Sequence, residues 1–168
     1  MKKQNTDVVL QQGNRSSVDI CTCGELRKAA RAITLLYDNA FKSSGLLSTQ
    51  FGVLQVLCDI DSIQISDLAG KLGMDRTTLT RNLSVLERDG FIKISQGKDH
   101  RTRNVTATQK AHVAVSKTNL IWSEIQCKVK QKLGENLWRE LMHNLTELLK
   151  VTDQLTDETV TEKETISM

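Results

Sequence analysis

The sequence predicts a mainly α-helical protein that carries one β-hairpin, an α+β fold class in which helices dominate. Proline is absent from all 168 residues, so long helices can run without the break that proline imposes. Apolar residues recur at helical intervals in several segments. Residues 91–106 instead alternate apolar and polar side chains around a charged tip, as a hairpin does, and 62–66 can form one short extended segment.

Composition indicates one globular domain. Hydrophobic residues make up 39% of the chain and charged residues 26%, which are ordinary values for a soluble protein. No apolar run approaches the roughly 18 residues that a membrane span needs, and the N-terminal residues lack a secretory signal. We therefore expect a cytoplasmic protein with reduced cysteines.

The first predicted elements are a tail and two helices. Residues 1–22 are polar and predicted to be disordered. An amphipathic helix is predicted within 24–45, where apolar residues such as Leu26 and Ile33 recur at helical spacing and Gly45 follows as the terminator. The mostly apolar segment 49–60 comes next and is typical of a core helix.

A helix-turn-helix is predicted next, within a region that spans 47–106. A short helix ends at Gly73, and a longer one starts near Asp75, whose carboxylate suits the positive end of the helix dipole. Gly90 supplies the left-handed residue that ends many helices, and Phe91 provides the hydrophobic contact that follows. The abrupt stop predicts a turn into extended structure.

The second of these helices has one buried and one exposed face. Leu79, Leu83 and Leu86 lie at positions i, i+4 and i+7 and predict the buried face. The exposed face carries hydroxyl and guanidinium groups, which suit phosphates, thymine methyl groups and guanine edges in a major groove. Its candidate DNA-binding residues are Arg76, Thr77, Thr78, Thr80, Arg81, Ser84 and Arg88.

The hairpin that follows has a basic tip. Its candidate DNA-binding residues are Lys98, Asp99, Arg101 and Arg103, and an arginine on a thin loop can enter a narrow minor groove. The Asp99 carboxylate, which presents two acceptor oxygens to a guanidinium group, is predicted to hold a neighbouring arginine in a fixed orientation. Residues 71–103 carry eight basic and four acidic side chains, a local net charge of +4 that favours a polyanionic partner. An ordinary solvated helix face and an ordinary charged hairpin are the alternatives.

Long helices are predicted on the C-terminal side, within 108–152. They carry Trp122, Trp138 and many leucines on stripes that a winged domain of about eighty residues cannot cover alone. These helices and 24–45 are therefore predicted to form a homodimer, the alternative being that they fold back on their own chain. Residues 153–168 are acidic and predicted to be a disordered tail.

The cysteines offer a possible redox sensor. Cys21 and Cys23 precede the first helix, whose N-terminal dipole raises thiol reactivity, and Cys127 could form a bridge to one of them in a partner subunit. Inert thiols are the alternative, and Cys58 is predicted to lie in the core. No cofactor, metal site or catalytic residue is predicted, because the histidines lack ligand spacing and no nucleotide-binding or nucleophile motif occurs.

The stretch "ISDLAGKLGMDRTTLTRNLSVLERDGFIKISQGKDHRTRNVTATQKA" resembles the winged helix-turn-helix of the MarR family of bacterial transcriptional regulators. The phrase "LERDGFI" and the pair Asp99 and Arg101 carry the likeness, and with "ELRKAARAITLLYD" and the closing helices it extends over residues 24 to about 150. The resemblance implies a homodimeric repressor that reads successive major grooves of a pseudo-palindromic operator. It also implies release by cysteine oxidation or by a small aromatic anion, for which Arg31 and Tyr37 are candidate contacts, although Tyr37 falls on the apolar stripe.

Two other classes of function remain open at this stage. A winged-helix module that binds protein would leave Arg76, Arg81 and Arg101 dispensable. An enzyme is disfavoured because paired catalytic carboxylates and a positioned base are missing from the sequence.

Overall fold

The computed structural model describes residues 20–97 and 99–166, without the side chains of 157 and 159–166. It confirms the predicted fold class, a mainly helical protein with a small antiparallel sheet in the order β1-β3-β2. The elements are α1 (Thr22–Phe41), α2 (Ser48–Cys58), β1 (Ile63–Gln64), α3 (Ile65–Leu72), α4 (Arg76–Arg88), β2 (Ile92–Gln96), β3 (Arg103–Ala107), α5 (Gln109–Leu133) and α6 (Glu135–Ile166). None of the helices described is long and apolar enough to cross a membrane.

The core lies between α2, α3, α4, the sheet, the end of α1 and the first part of α5. The predicted stripe of α4 is fully buried, with Leu79, Leu83 and Leu86 each at 0% exposure. They belong to one cluster with buried residues of α2, α3 and the strands, among them Leu54 and Leu68. Burial of a leucine side chain contributes about 1.5–3 kcal/mol, so this cluster fixes the buried face of α4 and turns its polar face to solvent.

The ends of the chain differ from the prediction in part. Residues 1–19 of the tail predicted for 1–22 lie outside the described residues. Helix α1 begins at Thr22. The disorder predicted for 153–168 is wrong as far as Ile166, because α6 continues to that residue. The chain has neither glycine nor proline after Gly134, and the hydroxyls of Thr152 and Thr156 donate to carbonyl oxygens within the helix, so nothing interrupts it. The division into a winged domain and dimerisation helices stays a prediction.

The end of α4 is joined to the start of α5. Gly90 has a φ of 75°, and the N–H of Phe91 donates to the Leu86 carbonyl at 2.8 Å, which closes the predicted glycine stop. The Thr108 hydroxyl lies 2.9 Å and 3.0 Å from the carbonyl oxygens of Gly90 and Phe91. The Lys110 ammonium donates to the Asp89 carbonyl at 2.6 Å and lies 4.5 Å from the Phe91 ring centroid. The α4–β2 turn is therefore held against the first turn of α5.

Candidate nucleic-acid interface

The first turn of α4 is fixed by its N-cap. The Asp75 carboxylate accepts the backbone N–H of Thr78 at 2.9 Å, as its predicted position at the helix start requires. A hydrogen bond from the Thr78 side chain, followed by that N–H, lowers the pKa of Asp75. The carboxylate is therefore charged at neutral pH, and it holds the backbone from which Arg76 and Thr77 project.

The polar face of α4 is open to solvent. All seven of its candidate residues are exposed: Arg76, Thr77, Thr78, Thr80, Arg81, Ser84 and Arg88. The Thr80 hydroxyl donates to the Arg76 carbonyl at 2.7 Å, and the Ser84 hydroxyl donates to the Thr80 carbonyl at 2.9 Å. In this state both hydroxyls present acceptor lone pairs outward, and each must rotate before it can donate to a phosphate.

The arginines of this face are not equivalent. Within the described residues, Arg76 and Arg81 have no carboxylate oxygen within 4 Å, so their guanidinium groups are available to an external anion. Arg88 instead forms an ion pair with Asp89 at 3.0 Å. Because this pair is exposed, water screens it and it holds Arg88 only weakly. The cationic character of α4 is therefore strongest in its N-terminal half.

The hairpin forms the predicted wing. Strands β2 and β3 pair from Ile92 with Ala107 to Gln96 with Arg103. The tip is tight, because a Cβ on Gly97 would lie 2.2 Å from the Thr102 hydroxyl and would force that side chain to move. Arg101 and Arg103 are exposed, and Lys98 lies outside the described residues.

Asp99 does not form the predicted pair with an arginine. Its carboxylate accepts the backbone N–H of Arg101 at 3.0 Å, and its carbonyl accepts both the N–H of Thr102 at 2.8 Å and the Thr102 hydroxyl at 2.9 Å. No arginine within the described ranges lies within 4 Å of the carboxylate. A short aspartate side chain in a tight turn bonds the nearby backbone more readily than a distant side chain. Asp99 therefore shapes the tip from which Arg101 projects.

The predicted sensor cysteines are all accessible thiols. Cys21 lies at the N-cap of α1, Cys23 lies in its first turn, and Cys127 lies on α5, where the Gln131 side chain approaches its sulfur to 3.4 Å. Cys58 packs partly buried against the core, where burial and then the nearby Asp59 raise its pKa. Cys58 is therefore a poorer nucleophile than an ordinary cysteine, whereas Cys21, Cys23 and Cys127 are open to solvent.

An apolar cleft of about 670 Å³ lies between α1, α5 and α6. Ile33, Leu141 and Trp138 are among its lining residues, and the Tyr37 hydroxyl donates to the side-chain oxygen of Gln126 at its edge. Burial raises the pKa of Tyr37, so the phenol is neutral. Among the side chains that the structure describes, no lysine, arginine or histidine lines the cleft, and Arg31 lies outside it. The cleft suits an apolar occupant and offers no described counter-ion to an anion.

Comparisons with known proteins agree on one family. The MarR family model matches residues 46–102. The crystal structure of the transcriptional regulator MosR of M. tuberculosis, in complex with DNA, is 35% identical and superposes with a TM-score of 0.69, covering 79% of this chain and 98% of MosR.

Two curated relatives are also transcriptional regulators. YwoH of Bacillus subtilis, an uncharacterized HTH-type regulator, is 27% identical over 57% of this chain and 70% of its own. BadR of Rhodopseudomonas palustris, a transcriptional activatory protein, is 29% identical over 69% of this chain and 67% of its own. These relatives are regulators and not enzymes, and the family model covers residues 47–102 of the winged domain predicted for 47–106. The chain therefore belongs to the MarR family of transcriptional regulators.

Proposed function

We propose that this chain is a cytoplasmic, homodimeric repressor that binds a pseudo-palindromic site in double-stranded DNA. The observation that carries the proposal is the exposed cationic face of α4, where Arg76 and Arg81 have no carboxylate oxygen within 4 Å in the described chain. An unpaired guanidinium in solvent gains most from a polyanion. The DNA complex of MosR, the relative at 35% identity, supports the choice of DNA as that polyanion.

The two basic surfaces have different roles in this proposal. The N-terminal half of α4 enters the major groove, where Arg76 and Arg81 contact guanine edges or phosphates and the threonines allow close approach. Ser84 and Arg88 contact the flanking backbone. In the wing, Arg101 and Arg103 reach the adjacent minor groove with Lys98, and Asp99 holds the turn.

The second subunit is the occupant that we assign to the apolar cleft. Ile33 and Leu141 at its edge are 41% and 39% exposed, and other large apolar side chains of α1 and α6 are also exposed. Such a continuous apolar surface is typical of an interface between subunits. Two copies related by a twofold axis would place two recognition helices on half-sites about 10 base pairs apart.

Release from DNA has two proposed routes. The cysteine route uses Cys21, Cys23 and Cys127, whose thiols are exposed to oxidants. The effector route, through a small aromatic anion near Arg31 and Tyr37, has weaker support, because the described lining of the cleft beside Tyr37 contains no cation. We therefore favour oxidation as the releasing signal.

A genomic footprint with the purified protein tests DNA recognition. We expect protection of a pseudo-palindromic sequence that overlaps a promoter, with an affinity that falls steeply between 50 and 200 mM salt, by about 1,000-fold if six phosphates are contacted. Binding without sequence preference would contradict the proposal. A footprint placed only upstream of promoters would indicate activation instead of repression.

The same footprint after peroxide treatment tests the redox route. We expect protection to disappear on oxidation and to return after thiol reduction, because oxidation of an accessible thiol is reversible at the sulfenate and disulfide stages. A Cys21→Ser/Cys23→Ser/Cys127→Ser variant should then stay bound in peroxide. Cys58→Ser is the matched control and should release DNA like the unchanged chain. Peroxide-insensitive footprints would rule out cysteine sensing.

A further inference from the structure

Glu87 connects the recognition helix to the wing. Its carboxylate Oε1 accepts the backbone N–H of Ile94 at 3.1 Å. Strand β2 lies at the edge of the sheet, so an N–H on its outer side has no strand partner. The carboxylate supplies the missing acceptor and fastens the middle of β2 to the last turn of α4.

In the part of the chain that the structure describes, this is the one side-chain hydrogen bond between the recognition helix and the wing. No other side-chain hydrogen bond there joins α4 to β2 or β3. The other links are the turn at Asp89 and Gly90 and the packing of Ile92, Ile94 and Val105 on the core that α4 shares. Because Ile94 lies two residues further into the wing than Ile92, its bond to Glu87 restrains the direction in which the hairpin leaves the core.

The charge of Glu87 makes a direct role in DNA contact unfavourable. Glu87 is exposed and is one of four acids among residues 71–103, which carry a net charge of +4. A phosphate backbone repels a nearby carboxylate, so this residue lowers affinity unless it contributes in another way. Its hydrogen bond to Ile94 is that contribution.

We propose that Glu87 is a positioning residue for DNA recognition, which holds the wing at the angle where Arg101 and Arg103 reach the duplex while α4 occupies the groove. The inference rests on the DNA-reading role proposed above. Two contact surfaces bind one rigid duplex best when their separation is set in advance, because less motion is then lost on binding.

Two neutral variants separate the effect of the Glu87 hydrogen-bond acceptor from the effect of its negative charge. Glu87→Gln and Glu87→Ala both remove the charge, and only glutamine retains an Oε1 that can accept the Ile94 N–H. We expect Glu87→Gln to bind operator DNA at least as tightly as the unchanged chain, and Glu87→Ala to bind about three- to tenfold more weakly than Glu87→Gln. That range corresponds to the net value of about one hydrogen bond. Amide exchange at Ile94 should accelerate in Glu87→Ala alone.

A double-mutant cycle separates positioning from a general loss of stability. In an Arg101→Ala/Arg103→Ala background, the glutamine and alanine variants should bind equally, because the wing no longer contacts DNA. A difference that persists in this background, or the lack of any difference in the unchanged background, would overturn the inference. Failure of the proposed function has a separate signature, in which removal of Arg101 and Arg103 leaves binding unchanged.

Discussion

Replacement of Arg76 and Arg81 by alanine should weaken operator binding by at least about 100-fold at fixed salt. Each arginine that contacts a base edge contributes about 1–3 kcal/mol, and a dimer carries each arginine twice. The salt dependence should also become shallower, by about 0.9 in the log–log slope for each phosphate that the variant no longer neutralises. The melting temperature should barely change, because both side chains are exposed and have no carboxylate partner within the described residues. Fluorescence anisotropy at several salt concentrations measures both the affinity and its salt dependence.

The matched control for this variant is Arg139→Ala/Lys150→Ala. It removes the same two positive charges from α6, where the side chains are exposed and pair with Glu135 and Glu147. Its operator affinity should stay within about twofold of the unchanged chain. An equal drop in affinity in both variants would mean that net charge alone governs binding, and it would remove α4 from its proposed role.

A Leu141→Asp substitution should convert the protein to a monomer and reduce operator affinity by at least about 1,000-fold. Leu141 lines the apolar cleft and is 39% exposed, so the isolated chain can accommodate the carboxylate, whereas a subunit seated over the cleft cannot. The affinity falls because a monomer engages one half-site, and its binding approaches the non-specific level. Light scattering with size-exclusion chromatography gives the mass, and anisotropy gives the affinity.

Leu120→Asp is the control for the dimer prediction. Leu120 is 71% exposed on α5 and does not line the cleft, so the same chemical change there should preserve both mass and affinity. A Leu141→Asp chain that remains dimeric and folded would place the subunit contact elsewhere and leave the cleft without its assigned occupant. Circular dichroism of both variants verifies that each chain is folded.

The sequence was most informative where one local pattern decided the structure. The spacing of Leu79, Leu83 and Leu86 predicted the buried face of α4, and Gly90 predicted its end, because helix periodicity and a left-handed stop each depend on residues close in the chain. The extent of α6 was not predictable from composition. An acidic, threonine-rich segment is typical of disorder, yet no residue within it breaks a helix.

The details of the site depended on contacts that the sequence does not encode as patterns. Asp99 was expected to pair with an arginine, but it bonds the Arg101 backbone, and the choice between the two follows from the shape of the tip. No role was predicted for Glu87. Its partner is the backbone N–H of Ile94, seven residues away, and a backbone donor leaves no signal in the amino-acid sequence. Edge strands create such unmatched donors only after the sheet order is known.

Thr108 and Lys110 bond the α4–β2 turn to the first turn of α5, so a rotation of α5 as a rigid body also moves the end of α4. Helix α5 has 25 residues, so at about 1.5 Å per residue it is a rod of about 37 Å. A tilt of the helix by about 5° moves its far end by about 3 Å. The hydrogen bonds to the carbonyl oxygens of Gly90, Phe91 and Asp89 couple the same tilt to the last turn of α4. Mechanical strain applied near Cys127 would therefore be transmitted to α4, the helix that we propose to enter the major groove.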